Sequence, residues 1–377
     1  MKKKVLLDCR FLGPSHTGLG RYTQSLTTAI NKLNPPNLQL YCLISSNQLK
    51  LAQKTMSRFS PVLTQAKPYS LSAQSQLPKI INLLKPDLTH WLHFNVPLLT
   101  SKPYIVTIHD LIKHHSKGLN TTTRTIFSYP FKRIGYSLTI NRAVKQAQTI
   151  ITPSRWVKND ILNHYKVDPQ KIKVIYEAAD PVYFKKSKKK TYLAPKYPYL
   201  LYVGNAYPHK NVIQLIKAVA KYNQESKETL RLVIVTGKNF FYQRLRLQIR
   251  KMNLQRVVKI KGFSDDLELR ALYRKATAFI IASLFEGFGL PGVEAMAAGT
   301  PVLASRRTSL PEVYGAAADY FNPEKENEII EVIKQTVLLS SRKREKKIRE
   351  GLIHVKQFSW EKAAKKTIKL YENSLGL

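Results

Sequence analysis

The chain has 377 residues, which favours two domains over one, and 44% of them are hydrophobic, ample for globular cores. Lysine and arginine outnumber aspartate and glutamate by 62 to 24, a formal charge of +38; that calls for an acidic neighbour such as anionic lipid, nucleic acid or a polyanionic substrate, or else reflects a host with a basic proteome. Two cysteines, Cys9 and Cys42, exclude a disulfide framework and a cysteine metal cluster; Asp8 ends the first apolar run after three residues and no run is long enough to span a bilayer, so a reducing, cytoplasmic location is expected.

Val5 to Leu7 predicts a first strand, and Thr17-Gly-Leu-Gly-Arg-Tyr22 opens a helix running to about Asn31. Gly18 and Gly20 let backbone N–H groups approach a phosphate, although a plain turn also accounts for a lone Gly-x-Gly. There is no full Gly-x-Gly-x-x-Gly and no acid about twenty positions on, which disfavours a dinucleotide site. Leu38 to Ile44, Asp87 to Trp91 and Tyr104 to Ile108 read as further strands, with a short helix at Ile80 to Leu84. His109 follows the last of these, and a His at a strand's C-terminal end in an open α/β sheet stands where ligands bind; a buried structural histidine is the competing account. Asp110 orients the loop or the imidazole.

Leu111 to Gln148 is basic, aromatic and free of acids, with Phe127, Tyr129, Phe131, Lys132, Arg133, Tyr136, Arg142 and Lys145. Such interleaving suits nucleic acid or a membrane surface, or simply a helical hairpin with a solvated basic face. A short strand at Ile150 to Thr152 precedes a helix for which Ser154 is a natural N-cap. Val174 to Asp180 closes the first half.

The run Lys185 to Lys190 marks the boundary as a solvated charge run. The expected division is residues 1–184, a basic linker 185–190, residues 191–355, and a terminal helix, 356–377, that crosses back to the first domain. Tyr199 to Val203 opens the second half as a strand, followed by Gly204-Asn-Ala-Tyr-Pro-His-Lys210-Asn211 and a helix to about Tyr222. Strands follow at Leu230 to Val235 and Val257 to Ile260. Capping explains Asp265 and Asp266 better than a metal site does, and no carboxylate or His/Cys cluster has metal-ligand spacing.

The most informative stretch is Ala278 to Ser305. Ala278 to Ala282 is a continuous apolar run of strand length. Gly287 and Gly289 permit an unusual backbone path, Pro291 suits the start of a helix, Ala295 to Ala298 propagate it, and Gly299 stops it. Val302 to Ala304 is the next strand. The loop thus ends at a helix N-terminus, where unpaired N–H groups and the dipole favour a phosphate. Glu286 precedes the glycines, and Glu294 is expected in the first helical turn. Carboxylates there suit the hydroxyls of a ribose or a sugar; alternatively, Glu294 only complements the dipole and Glu286 is a surface charge.

The string Glu286-Gly-Phe-Gly-Leu-Pro-Gly-Val-Glu294-Ala-Met-Ala-Ala-Gly-Thr-Pro-Val302 closely resembles the E-x7-E signature of retaining glycosyltransferases of glycosyltransferase family 4, which have the GT-B fold, and the chain is similar to mannosyl-type group 1 enzymes. The resemblance implies an α/β chain of two Rossmann-like domains with parallel sheets facing a central cleft. It implies transfer of a mannose-like hexose from a nucleoside diphosphate sugar to a hydroxyl of a glycan or lipid-linked acceptor, in cell-envelope polysaccharide or glycolipid synthesis. Glu294 would hold the nucleotide ribose and Glu286 the donor sugar, with the N–H groups of Phe288, Gly289 and Leu290 against the diphosphate. Gly18 and Gly20 match the family's N-terminal glycine loop. Thr107-Ile-His109-Asp-Leu matches the segment whose His points at the donor sugar, so His109, Lys210 and Glu286 are the catalytic candidates.

Val203-Gly204 through Pro208-His-Lys210-Asn211 resembles the family's diphosphate-binding segment, with departures. The family often carries Arg just after the Gly or just before the Lys, where this chain has Asn205 and His209. The missing charge is expected from Arg21 or His209. The nucleotide sugar is a co-substrate, and neither a further cofactor nor a metal is expected. The expected partners are donor, acceptor and an anionic membrane surface on the inner face of the cell membrane, and not nucleic acid. Two other classes fit parts of the chain. A nucleic-acid-binding protein explains the charge but not the Glu286–Glu294 string, and a glycoside hydrolase would use the two carboxylates as acid and nucleophile or base.

Overall fold

The structure, a computed structural model, describes residues 1–100, 103–116, 128–185, 194–226 and 229–377. Phe127 and the lysine run 186–190 lie outside these residues, as do the side chains of Tyr129, Phe131 and Lys132. The chain divides into two compact units. The first holds residues 1–111, the chain from Ser128 to Glu177, and Ser359–Leu377; the second holds Ala178–Phe358 and the short helix Ile112–His115.

The first unit is built on a seven-stranded parallel sheet. Its strands are β1 (Lys3–Asp8), β2 (Leu38–Ile44), β3 (Ser60–Leu63), β4 (Leu88–Trp91), β5 (Tyr104–Thr107), β6 (Thr149–Thr152) and β7 (Ile172–Val174), in the spatial order β3-β2-β1-β4-β5-β6-β7. Val5 sits beside Leu40 on one side and Leu88 on the other. The central strands are buried on both faces by helices, which is why they are short apolar runs rather than alternating ones. The edge strand β3 carries Pro61, which a sheet tolerates only at an edge, and this removed its signal from the sequence.

The helix expected at Ile80 to Leu84 is in fact Leu71–Leu84 and runs through Pro78. Ser70 caps it, accepting from the Ala73 N–H, and its buried stripe of Ala73, Leu77 and Ile81 holds it against the core despite the bond that proline forfeits. Ser154 caps the helix Arg155–His164 as expected, accepting from the Val157 N–H. The terminal helix Trp360–Leu375 packs on the first long helix, Thr17–Leu33, within this unit.

The second unit holds a six-stranded parallel sheet of β8 (Tyr199–Val203), β9 (Arg231–Val235), β10 (Val258–Lys261), β11 (Ala278–Ile281), β12 (Val302–Ser305) and β13 (Ala318–Phe321), in the order β10-β9-β8-β11-β12-β13. Leu200, Ile234, Ile280 and Leu303 form its centre, covered by Leu215, Val219 and Ile333 from flanking helices. A helix with no counterpart in the sequence reading, Phe240–Lys251, follows β9 and is capped by Asn239. Asp265 caps the helix Asp266–Lys275 through the Glu268 N–H, and Tyr183 donates to Asp266, so both acids are accounted for structurally.

Candidate active site

In each sheet the strand order reverses at one place, between β1 and β4 in the first unit and between β8 and β11 in the second. Open α/β sheets bind ligands outside the carboxyl ends of strands at such switch points. Lys210 follows β8 and Glu286 follows β11, so the second switch point carries both.

The two loops are tied together. The Leu284 N–H donates to the His209 carbonyl at 2.8 Å, and Lys210 Nζ lies 2.7 Å from Glu286 Oε1. Ser283 Oγ donates to the same oxygen at 2.7 Å, the Glu286 N–H donates to Thr308, and Ser309 donates to the Glu286 carbonyl. Pro208–Lys210 form a single 3₁₀ turn, and Asn211 takes the left-handed conformation (φ 54°) that starts the next helix and donates to the Pro323 carbonyl. Lys210 is thus aimed by a short rigid turn, and its ammonium keeps donors beyond the one given to Glu286.

The helix Leu290–Ala297 begins at Gly289, whose φ of 86° is left-handed. A side chain at Gly289 would also meet Leu310 and the Tyr314 hydroxyl at 2.5 Å, and one at Gly292 would meet Tyr314 at 2.3 Å. Tyr314 donates to the Gly289 carbonyl. The glycines therefore let the loop close over Tyr314. Because Gly289 caps the helix, Leu290 is its first residue and Pro291 its second. Glu294 then falls fifth, past the first turn where it was expected. It is 2% exposed and accepts from the Tyr273 hydroxyl at 3.3 Å.

In the first unit, Gly18 and Gly20 lie in the first turn of Thr17–Leu33. A Cβ on Gly20 would sit 1.9 Å from the Gly13 carbonyl oxygen, whereas Gly18 faces open space. Gly20 is required by the chain's own packing, and Gly18 is not. His109, just past β5, has Nδ1 3.2 Å from Glu177 Oε1 and Nε2 3.0 Å from the Leu92 carbonyl. Behind it, Tyr22 meets Thr107 at 3.2 Å, Thr107 meets His90 Nε2 at 2.9 Å, and His90 Nδ1 meets the Tyr371 hydroxyl at 2.6 Å. Burial, and then the neighbouring His109, pushes His90 down to about 3, so it is a neutral structural histidine.

Residues 17–183 match the family described as Glycosyltransferase Family 4, and residues 184–351 match Glycosyl transferases group 1. The two models together span residues 17–351, and the chain belongs to the glycosyltransferases. Its relatives include the O-antigen chain mannosyltransferase RfbU of Salmonella typhimurium, 27% identical over 85% of this chain and 88% of that one. An MMP α-(1→4)-mannosyltransferase of Mycolicibacterium hassiacum is 28% identical over 72% of this chain and 66% of the other. Among solved structures, Anabaena HepE in complex with UDP-glucose superposes with a TM-score of 0.73 at 16% identity, covering 99% of this chain and 100% of that one. The fold of this glycosyltransferase is the GT-B type, two all-parallel Rossmann-like halves.

The glycosyltransferase thus brings Lys210 together with Glu286 and places Gly204, Phe288, Gly289 and Leu290 around the same switch point. Gly204 holds a φ of 148° there. Phe288 turns its ring inward against Phe358. One expectation fails: His209 does not supply positive charge, because burial, and then Lys210, lowers it to about 3. Its contribution is the backbone carbonyl that joins the two loops. Ser283, Thr308, Ser309 and Tyr314, which fix Glu286 and the helix entrance, and Glu177 and Leu92, which hold His109, carried no signal of their own in the sequence. Apart from Ser283, three residues from Glu286, their roles depend on distant chain segments.

Proposed function

We propose that this glycosyltransferase moves a mannose-like hexose, with retention of configuration, from a nucleoside diphosphate sugar to a hydroxyl of a glycan or lipid-linked acceptor in cell-envelope glycan synthesis. The observation that carries it is the Lys210–Glu286 pair at 2.7 Å beside the N-terminus of Leu290–Ala297. A cation, a carboxylate and the N-terminus of a helix there share one strand-end edge, the arrangement that suits a sugar diphosphate. The names of the mannosyltransferase relatives support the choice of sugar.

In this reading Lys210 and the N–H groups of Phe288, Gly289 and Leu290 stabilise charge on the departing diphosphate, the kind of preorganised electrostatics that is usually the largest catalytic term. Glu286 and His109 orient the sugar, Glu294 holds the ribose, and Gly18, Gly20 and Gly204 allow close backbone approach. The bond from the anomeric carbon to the phosphate oxygen breaks as the acceptor oxygen bonds on the same face. The acceptor proton passes to the leaving phosphate oxygen, so no protein base and no metal is required. The protein works in the cytoplasm, at the inner face of the cell membrane.

The test is a thermal-shift screen against UDP-, GDP- and ADP-sugars, since a ligand at a hundred times its Kd adds about 2.7 kcal/mol of stability. Transfer and product anomer by NMR follow, with and without EDTA. Stabilisation by one nucleotide class, a retained anomer and insensitivity to EDTA are expected. An inverted anomer overturns the mechanism, and sugar release from a nucleotide-free glycoside overturns the activity.

A further inference from the structure

We infer that Glu177 is the positioning residue for His109, locking the imidazole in one orientation and fixing where its protons lie. The inference rests on the transfer reaction proposed above for what His109 does, but not for how it is held.

Glu177 and His109 are 68 residues apart and meet because the ladder continues past the strands. Ile108 donates to Ile151 and Ile175 donates to Thr152, so the segments leaving β5 and β7 both run on beside the end of β6. That delivers Glu177 Oε1 to 3.2 Å from His109 Nδ1, while the Leu92 carbonyl, just past β4, lies 3.0 Å from Nε2. A carbonyl oxygen only accepts, so Nε2 carries a hydrogen. The opposite nitrogen faces a carboxylate, so one proton lies between Nδ1 and Oε1, whichever atom holds it.

The ring is also fixed at its faces. Tyr22 stands edge-on at 4.4 Å between centroids, and His93 lies nearly parallel at 6.3 Å. Tyr22 is itself tied to Thr107.

Two consequences follow. Neither ring nitrogen offers a lone pair, so His109 is not a base in the transfer. What it offers is the Nε2 hydrogen, which a sugar hydroxyl can take over from the Leu92 carbonyl without the ring turning, provided Glu177 keeps hold of Nδ1. Glu177 is only 6% exposed, and a buried carboxylate is costly unless it is paired and hydrogen-bonded.

The experiment compares Glu177→Ala, Glu177→Gln, His109→Ala and the double Ala variant of the full chain. Imidazole ¹⁵N spectra and melting temperature are recorded without any donor. Transfer is then assayed with the nucleotide sugar that the thermal-shift screen selects. Glu177→Ala should displace the His109 ring signals while leaving those of His90 in place, and should lower kcat about 10- to 100-fold, the scale of a misplaced reacting geometry. Affinity for the nucleoside diphosphate without its sugar should not change. Glu177→Gln, which keeps an acceptor oxygen within reach of Nδ1, should lose less. The double variant should be no slower than His109→Ala alone, because Glu177 acts only through the ring. Additive losses, or His109 signals unmoved in a folded Glu177→Ala variant, overturn the inference. Displaced His109 signals in a chain that transfers no sugar would uphold the positioning and overturn the proposed reaction instead.

Discussion

The carboxyl-end edges of the two sheets are furnished differently. Past β8 and β11 the second unit presents a lysine, two glutamates and a glycine-started helix, stitched by hydroxyls from its own neighbouring loops. Past β4 and β5 the first unit presents His93 and His109 packed among aromatic rings, with His109 held by a carbonyl and a carboxylate. The first kind of edge makes and balances charge, and suits an anionic ligand. The second fixes ring orientation, and suits the direction of a hydroxyl-bearing one. Similar topology on both sides shows that the strands supply only the ledge, and that the loops choose the chemistry.

Breaking the charged edge should have the largest effect. Lys210→Ala should cost on the order of 10²–10³ in turnover with the fold intact, as for other preorganised charge-stabilising groups. Near-normal transfer would make Lys210 an ordinary lysine whose partner happens to be Glu286.

The two glutamates sharpen the assignment within that edge. Glu294→Ala should weaken binding of nucleoside diphosphate and donor alike by roughly 1.5–3 kcal/mol, one to two decades. Glu286→Ala should leave nucleoside diphosphate affinity unchanged and lower transfer. Calorimetry beside a transfer assay reads both. Because Glu294 also accepts from Tyr273, a lowered melting temperature with unchanged nucleotide affinity would show it to be a packing residue, and equal losses from both variants would show that the ribose and sugar ends are misassigned.

The glycines of the first unit give a smaller, structural contrast. Gly20→Ala forces a methyl into a backbone carbonyl and should destabilise by about 1–3 kcal/mol, the usual range for overpacking. Gly18→Ala should leave the melting temperature nearly unchanged. If Gly18→Ala nonetheless reduces donor use, the open space beside it belongs to the ligand.

The smallest effect per residue concerns the outer face of the first unit. The helix Ser128–Gln146 exposes Ile134 and Leu138 one turn apart, in a stretch with no acids between Asp110 and Asp160. Among the described residues no helix is long and apolar enough to cross a membrane. Peripheral binding to anionic vesicles is expected, at about 1 kcal/mol per Lys or Arg near the surface. Flotation that is equal on neutral and anionic vesicles, or indifferent to salt, would contradict it.

The sequence carried the charged edge far better than the histidine edge, for a physical reason. Glu286, Gly289 and Glu294 sit in one contiguous strand–loop–helix, so local backbone demands leave a local trace. Even there the helix start was misplaced by the left-handed Gly289, which moves Glu294 beyond the first turn. The parallel strands were legible as apolar runs except three at sheet edges: β3, where Pro61 hides the strand, and β7 and β13, which carry no continuous apolar run. Glu177, Leu92, Tyr22 and Tyr371 gather around His109 and His90 from four separate segments, and a neutral buried histidine looks like a charged surface one until its surroundings are known. His209 was misread for the same reason.

The Tyr371–His90 bond has a consequence for how the protein is made. The first unit includes Ser359–Leu377, so its interior is incomplete when residue 177 leaves the ribosome and stays so while the whole second unit is translated. At about 5–20 residues per second that interval lasts roughly 10 to 40 s. During it His90, on β4, waits without the Tyr371 hydroxyl, and Thr17–Leu33 waits without the helix Trp360–Leu375 that packs on it. A half-made chain is therefore a client for chaperones at its N-terminal half, and a tag or nick in the last helix acts on the part of the protein that was synthesised first.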